Sequence, residues 1–203
     1  MTVLYLVRHA KSIGNFNRSC MGQTDIGVCE EGIRQLDKLS ERFCGVHIDK
    51  IYTSPLTRAF QTAKAVNGKR FLDITAKYDL MEYNFGIFEG LPWNFIKKHF
   101  AEEYALLSSS PFEFSVEGSE DYHDFVKRAY NAVTQTVAEN VGKSICVVTH
   151  GEFLRAYLSA ALPSVFPDIR DIKCPENTSI TTLNFDDDLV PSLVCFNDFD
   201  HLK

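Results

Sequence analysis

Leu4-Tyr5-Leu6-Val7-Arg8-His9-Ala10-Lys11-Ser12-Ile13-Gly14-Asn15 is the stretch on which the reading of this chain turns. Residues 3–7 form an apolar run too short for anything except a buried strand. The run stops on a cation beside an imidazole, Arg8-His9, and Gly14 with its polar neighbours reads as a loop leaving the strand end. In open α/β sheets, ligands bind in the crevice outside the carboxyl ends of the strands. Arg8 and His9 would stand at the mouth of such a crevice. The alternative is a simple strand cap with Arg8 paired to a surface carboxylate.

Working outward, a polar, Gly-rich stretch runs to Val28 and is expected to be a loop over the site. Residues 30–43 read as a helix with Ile33, Leu36, Leu39 and Phe43 on one face. Residues 48–53 read as a second strand ending on Ser54-Pro55, followed by a helix over 56–66 with Pro55 near its start. A third strand is expected over 71–76. The middle third, 81–114, is irregular, with a helix predicted over 93–107. The clearest helix spans 119–141: Tyr122, Val126, Ala129, Val133 and Val137 recur at helical steps, Ser119 is placed to cap and Gly142 ends it. Residues 144–149 are a β-branched run ending on His150, and a helix over 152–162 follows. Two last strands, 179–185 and 193–196, are joined by the acidic turn Asp186-Asp187-Asp188.

Strands alternating with helices predict an α/β fold, a three-layer sandwich with a mostly parallel central sheet and helices on both faces. The 203 residues suit one domain, 1–203, in which segment 81–118 is an insertion covering one end of the sheet. A net charge of −6 without any basic cluster argues against nucleic-acid and anionic-membrane partners, so an anion site must be built from a few local cations. Cys20, Cys29, Cys44, Cys146, Cys174 and Cys195 form no CxxC pair, which suggests neither a zinc site nor a redox motif. With the first apolar run broken by Arg8, no signal peptide is read, and reduced thiols in a cytoplasm are expected.

Three strands share one grammar: an apolar run, a reactive group, then a turn and helix. They deliver Arg8 and His9, then Ser54 and Arg58, then His150. In a parallel sheet all land at the same edge, where two arginine forks match phosphate oxygens. A histidine there can be a metal ligand, a general base or a nucleophile; neighbouring arginines repel a metal, and nucleophilic attack on phosphorus fits better. Protonating the departing alkoxide needs an acid, for which Glu82, beside aromatics at the start of the insertion, is the candidate.

Leu6-Val7-Arg8-His9 with Asn15, Ser54-Pro55-Leu56-x-Arg58-Ala59-x-x-Thr62-Ala63, Leu80-x-Glu82-x-x-Phe85-Gly86-x-x-Glu89-Gly90 and Val148-Thr149-His150-Gly151 together resemble the histidine phosphatase superfamily, with its phosphoglycerate mutase-like fold. The resemblance runs in order over residues 3–185. It implies that His9 is phosphorylated, that Arg8, Arg58 and His150 hold the phosphoryl group, and that Glu82 donates the proton. It makes Asn15, Ser54, Tyr83 and Gly151 substrate-binding candidates, with Ser54 lying behind the contact residues. No metal and no cofactor are implied.

Two departures stand out. Ala10-Lys11-Ser12 replaces the Gly-Glu-Thr or Gly-Glu-Ser of many members, and Val28-Cys29 replaces a Leu-Thr pair, which removes a hydroxyl cap. Lys11 either adds to the positive field or points to water. The family's mutases carry an arginine directly after the acid glutamate, where this chain has Tyr83. No arginine occurs from Tyr83 to Phe125, and Tyr83, Phe85, Phe88, Trp93, Phe95, Phe112 and Phe114 make the insertion aromatic. The expectation is therefore a phosphomonoesterase acting on a small phosphate ester. A mutase-type transfer or a poorly catalytic phospho-ligand binder are the alternatives, with monomer or homodimer both open.

Overall fold

Strand β1 (Thr2–Arg8) sets the two-sided character of the molecule. In the computed structural model, which describes residues 1–203, Leu4 and Leu6 face one buried cluster while Tyr5 and Val7 face the other. That alternation is the period-two geometry of a strand buried on both sides. β4 (Ser144–Thr149) repeats it, with Ile145 and Val147 on the first face and Cys146 and Val148 on the second. A strand packed on both faces has no solvated polar face, which is why both read as unbroken apolar runs. Leu6 is completely buried, so its truncation to alanine costs about 2–5 kcal/mol.

The chain runs β1, α1 (Ile13–Asn17), α2 (Glu30–Arg42), β2 (Lys50–Thr53), α3 (Thr57–Asn67), β3 (Ile74–Ala76), α4 (Trp93–His99), α5 (Ala101–Ser109), α6 (Tyr122–Ala138), β4, α7 (Gly151–Ala161), β5 (Ile180–Phe185) and β6 (Pro191–Asp198). The sheet order is β3-β2-β4-β1-β5-β6, with the first four strands mutually parallel, β5 antiparallel to β1, and β6 antiparallel to β5. Leu39 of α2 and Ala59, Ala63 and Val66 of α3 pack on one face; Phe125, Ala129 and Val133 of α6 and Phe153, Leu154 and Leu158 of α7 pack on the other. The three-layer sandwich expected from the sequence is present.

The chain leaves β1 toward α2 on one face and leaves the adjacent β4 toward α7 on the opposite face. Adjacent strands whose connections depart to opposite sides open a crevice at their carboxyl ends. Arg8, His9 and His150 lie at that crevice.

Several boundaries differ from expectation. The third strand is only Ile74–Ala76, because Phe71 sits at φ 57°, a left-handed backbone, with a side chain 92% exposed. The helix expected over 93–107 is two, broken at Phe100 (φ −134°, ψ 52°). The long helix starts at Tyr122 and is capped by Asp121, whose carboxylate accepts the Asp124 N–H; the Ser119 hydroxyl is engaged with Val116 instead. Ile33 is exposed, leaving Leu39 and Phe43 to anchor α2. Cys29 precedes α2 without a side-chain cap bond, as its sequence implied. The final strand extends over Pro191–Asp198, wider than its apolar centre.

Candidate active site

The register of the parallel pair does the positioning. Arg8 is paired with Thr149, so the next residue on each strand, His9 and His150, falls side by side, with ring centroids 5.1 Å apart. The His9 backbone is pinned from several directions. Its N–H donates to Thr149 O (2.9 Å), and its carbonyl accepts from the Asn177 amide (2.9 Å). The next N–H, of Ala10, donates to Thr62 Oγ1 (2.9 Å), while the Thr62 hydroxyl donates to Arg58 O (2.7 Å). Helix α3 therefore fixes Arg58 and the His9 turn together.

The His9 ring has a defined tautomer. Nδ1 lies 2.7 Å from Ala10 O, and since a carbonyl can only accept, Nδ1 carries the proton. The lone pair is left on Nε2. Burial, then the charges of Arg58 and Arg8, hold the His9 pKa well below its ordinary 6.5, so the ring is neutral at pH 7. His150 is lowered by burial first, then by Arg58, His9 and Arg8; it is fully buried and neither ring nitrogen has a protein partner. Unpaired buried nitrogens cost about 1–3 kcal/mol each, so this arrangement suits a site that takes a hydrogen-bonding ligand.

Arg58 is only 2% exposed and donates to Gly22 O (2.6 Å) and Thr24 O (2.9 Å), tying the loop after α1 to α3. Gly22 adopts φ 47°, and a Cβ there would lie 2.0 Å from Glu89 Oε1, so the turn tolerates no side chain. Arg8 donates to Pro175 O, and its buried Nε is uncommitted. A Cβ on Gly151 would come within 3.2 Å of that Nε, so glycine lets the guanidinium lie against the start of α7.

Glu82 is held by the same helix start. Its carboxylate accepts the N–H groups of Glu152 (3.1 Å) and Phe153 (2.9 Å), two donors without intrahelical partners, and that of Tyr83 (3.0 Å). Burial and the neighbouring Glu152 carboxylate raise its pKa, against the opposing pull of these N–H groups and Arg58. Glu82 is a fixed carboxyl with raised proton affinity, not a solvated loop acid.

A cavity of about 210 Å³ joins Arg8, His9, Arg58, Glu82, Asn15 and Gly151, with Phe85, Trp93, Glu152 and Cys174 also on its wall. Asn15 Oδ1 accepts from Ser12 N (3.1 Å) and Asn177 Nδ2 (3.3 Å), which leaves its amide N–H groups for the cavity. Three candidates do not reach the wall, and the first is His150, completely buried beside His9. Ser54 is completely buried, and its Oγ accepts from Leu56 N (3.3 Å) in the turn into α3. Tyr83 is also completely buried, its hydroxyl donating to Glu120 O (2.6 Å) among Phe85, Phe114, Tyr122 and Phe125. Lys11 is not on the cavity wall; its Nζ is paired with the part-exposed Glu31 at 2.7 Å.

The model of the histidine phosphatase superfamily (branch 1) matches residues 4–198. The chain belongs to that family. It is an enzyme of the phosphatase class. Phosphoglycerate mutase-like protein 4 of Arabidopsis thaliana is 28% identical over 203 residues, covering 98% of this chain and 86% of the relative. The structure of YhfR from Bacillus stearothermophilus superimposes over 100% of both chains with a TM-score of 0.93 and 27% identity. A phosphoserine phosphatase of Entamoeba histolytica, solved as a mutant in complex with phosphoserine, does so over 100% of both with a TM-score of 0.85 and 26% identity.

Sequence reasoning passed over several residues that frame the site of this branch 1 histidine phosphatase. Asn177 belongs to none of the motifs quoted above, yet its amide holds His9 and Asn15. Thr62 stood in a quoted motif without a role. Glu89, quoted above in the same motif as Glu82, spends its carboxylate on the N–H groups of Gln23, Thr24 and Phe85 and on the Thr24 hydroxyl. No group of three or more histidine, cysteine or acidic side chains is arranged to hold a metal ion.

Proposed function

We propose that this histidine phosphatase is a phosphomonoesterase that hydrolyses a small phosphorylated metabolite through a phosphohistidine on His9. The observation that carries the reading is the Nδ1–H bond of His9 to Ala10 O, which leaves Nε2 as the nucleophile in a cavity holding Arg8, Arg58 and Glu82. In the first step the Nε2 lone pair bonds to phosphorus as the ester P–O bond breaks, and Glu82 gives its proton to the departing oxygen. Arg8, Arg58 and His150 take the charge on the other phosphoryl oxygens. In the second, the Glu82 carboxylate removes a proton from water as its oxygen attacks phosphorus and the P–N bond breaks, releasing phosphate and restoring His9.

Hydrolysis rather than mutase-type transfer is favoured because Arg8 and Arg58 are the only arginine or lysine side chains on the cavity wall. A substrate with a second phosphate and a carboxylate would find no further cation. A mere phospho-ligand binder has no use for a buried carboxyl at the leaving-group side. In this reading the chain works as one domain whose segment 81–118 covers the site. No helix is long and apolar enough to cross a membrane, and the six free cysteines suit a reducing cytoplasm. The test is a rapid-quench experiment with p-nitrophenyl phosphate: an acid-labile phosphoryl group should appear on the protein and be absent in His9→Ala. Full turnover by His9→Ala overturns the proposal.

A further inference from the structure

The phosphate cavity borders a second space. A cavity of about 350 Å³ shares Phe85, Trp93 and Glu152 with it and is completed by Tyr104, Leu107 and Ser108 of α5. Residues 104, 107 and 108 stand three and four apart, so they lie on one face of that helix. α5 contributes no fully buried residue, and Trp93, Tyr104 and Leu107 remain part-exposed. Apolar surface left open next to a catalytic group marks a place for an apolar ligand.

The charge balance of this space narrows the ligand. No arginine, lysine or histidine is on its wall. Its one carboxylate, Glu152, is matched by Arg155 through bonds of 2.9 and 3.0 Å and accepts the Tyr122 hydroxyl as well. A substrate carboxylate placed here would lose water and gain no cation, which is costly. An ammonium group would find Glu152 already neutralised. Phe85 and Trp93 meet edge to face at 5.9 Å, and Trp93 and Tyr104 at 6.4 Å, so the shared wall offers ring faces and edges to a further ring.

We infer that this second cavity receives the leaving group, and that the preferred leaving group is an uncharged, apolar alcohol, aromatic-bearing or aliphatic, rather than one carrying a carboxylate. The inference rests on the phosphatase reading above and deepens it by naming the substrate class. It sets this chain apart from relatives whose names specify phosphoserine, because an amino acid head group has no partner here.

Phenethyl phosphate and phosphoserine test it. Both release a primary alcohol, and serine is the less basic of the two, so intrinsic chemistry favours phosphoserine. The wild-type enzyme is expected to show a kcat/KM for phenethyl phosphate about 10–100-fold higher, the range hydrophobic pockets deliver. Leu107→Lys, checked for folding by circular dichroism, should shrink that ratio by roughly tenfold or more by giving the carboxylate a cation. Equal or better turnover of phosphoserine by the wild type overturns the inference while leaving the phosphatase reading intact. No turnover of either ester overturns the phosphatase reading instead. Calorimetric binding of the two esters to His9→Ala then decides the cavity separately: tighter phenethyl phosphate supports the inference, and equal or tighter phosphoserine overturns it.

Discussion

His9 and His150 face each other across 5.1 Å because Arg8 and Thr149, one residue earlier on each strand, are in parallel register. Two imidazoles this close, buried beside two guanidinium groups, cannot both accept protons at moderate pH. Each proton added would sit in low dielectric against like charge.

The pH dependence follows from the sign of those shifts. Both histidines have folded pKa values below 6.5, so the unfolded chain binds more protons once pH falls below 6.5. Their contribution to stability is fully present above pH 6.5 and is lost progressively as pH drops toward the folded values. The melting temperature should fall as pH is lowered from 6.5, and His150→Gln should fall less steeply. For activity, the acid limb of kcat/KM should lie below pH 6.5, and Arg58→Ala should move it upward by removing a cation that keeps His9 unprotonated. A limb at or above 6.5 in the wild type would contradict this placement of His9.

Thr62→Val is the sharpest test of the scaffold. The substitution keeps the shape but deletes the oxygen that accepts the Ala10 N–H and donates to Arg58 O. A buried N–H left unpaired costs about 1–3 kcal/mol, so denaturation should show a loss of that size. Because the same bonds align His9 with Arg58, kcat should fall too, while a variant with unchanged stability would remove Thr62 from this role.

Which parts could be read from the chain depends on how local their causes are. β1 and β4 were legible because burial on both faces forces an unbroken apolar run, and each is followed at once by a histidine, His9 or His150. Arg58 was legible because one helical turn separates it from the end of a strand. Tyr83 misled because adjacency to Glu82 suggested a shared site. Neighbours on an extended segment point opposite ways, so Glu82 reaches α7 while Tyr83 enters the aromatic core. The setting of Glu82 was hidden for another reason: its donors, Glu152 N and Phe153 N, lie on a helix far along the chain. Asn177 was hidden in the same way. Ser54 was placed at the right strand end, but the turn into α3 consumes its hydroxyl.

Chelation should leave turnover intact. Arg8 and Arg58 already bring positive charge to the cavity, and no cluster of ligating side chains is arranged for a metal. Activity measured before and after EDTA treatment is expected to be equal. Loss in EDTA restored by a divalent ion would show that charge neutralisation is not supplied by the arginines alone.

Arg58 has two jobs that can be separated. In the proposed mechanism it supplies charge to the anion, and in the structure it anchors Gly22 and Thr24 through its two terminal nitrogens. Arg58→Ala should weaken competitive inhibition by phosphate or vanadate by about 2–4 kcal/mol, as expected for a charge-assisted fork lost from a buried site. Arg58→Lys keeps the charge but not the fork, and should recover only part of the binding. Full recovery by lysine would mean that charge alone matters and that the loop anchorage is incidental.

Glu82 is the residue whose removal says most about mechanism, because its effect depends on the substrate. An alkyl alcohol departs as a strongly basic alkoxide, whereas p-nitrophenolate is stable without a proton. Glu82→Gln preserves size and one acceptor oxygen for the α7 N–H groups but has no proton to give. Provided phosphorylation of His9 limits both reactions, the variant should lose about 10²–10⁴-fold on an alkyl phosphate and far less on p-nitrophenyl phosphate. The raised pKa adds a second readout. The alkaline limb of the alkyl-phosphate profile, where Glu82 has lost its proton, should vanish in the variant, and the acid limb set by His9 should stay. Equal losses on both substrates would make Glu82 a positioning residue and send the search for the donor to Glu152, the other carboxylate on the cavity wall. Glu152 is a poor second choice: its carboxylate is already engaged by Arg155 at 2.9 Å and by the Tyr122 hydroxyl.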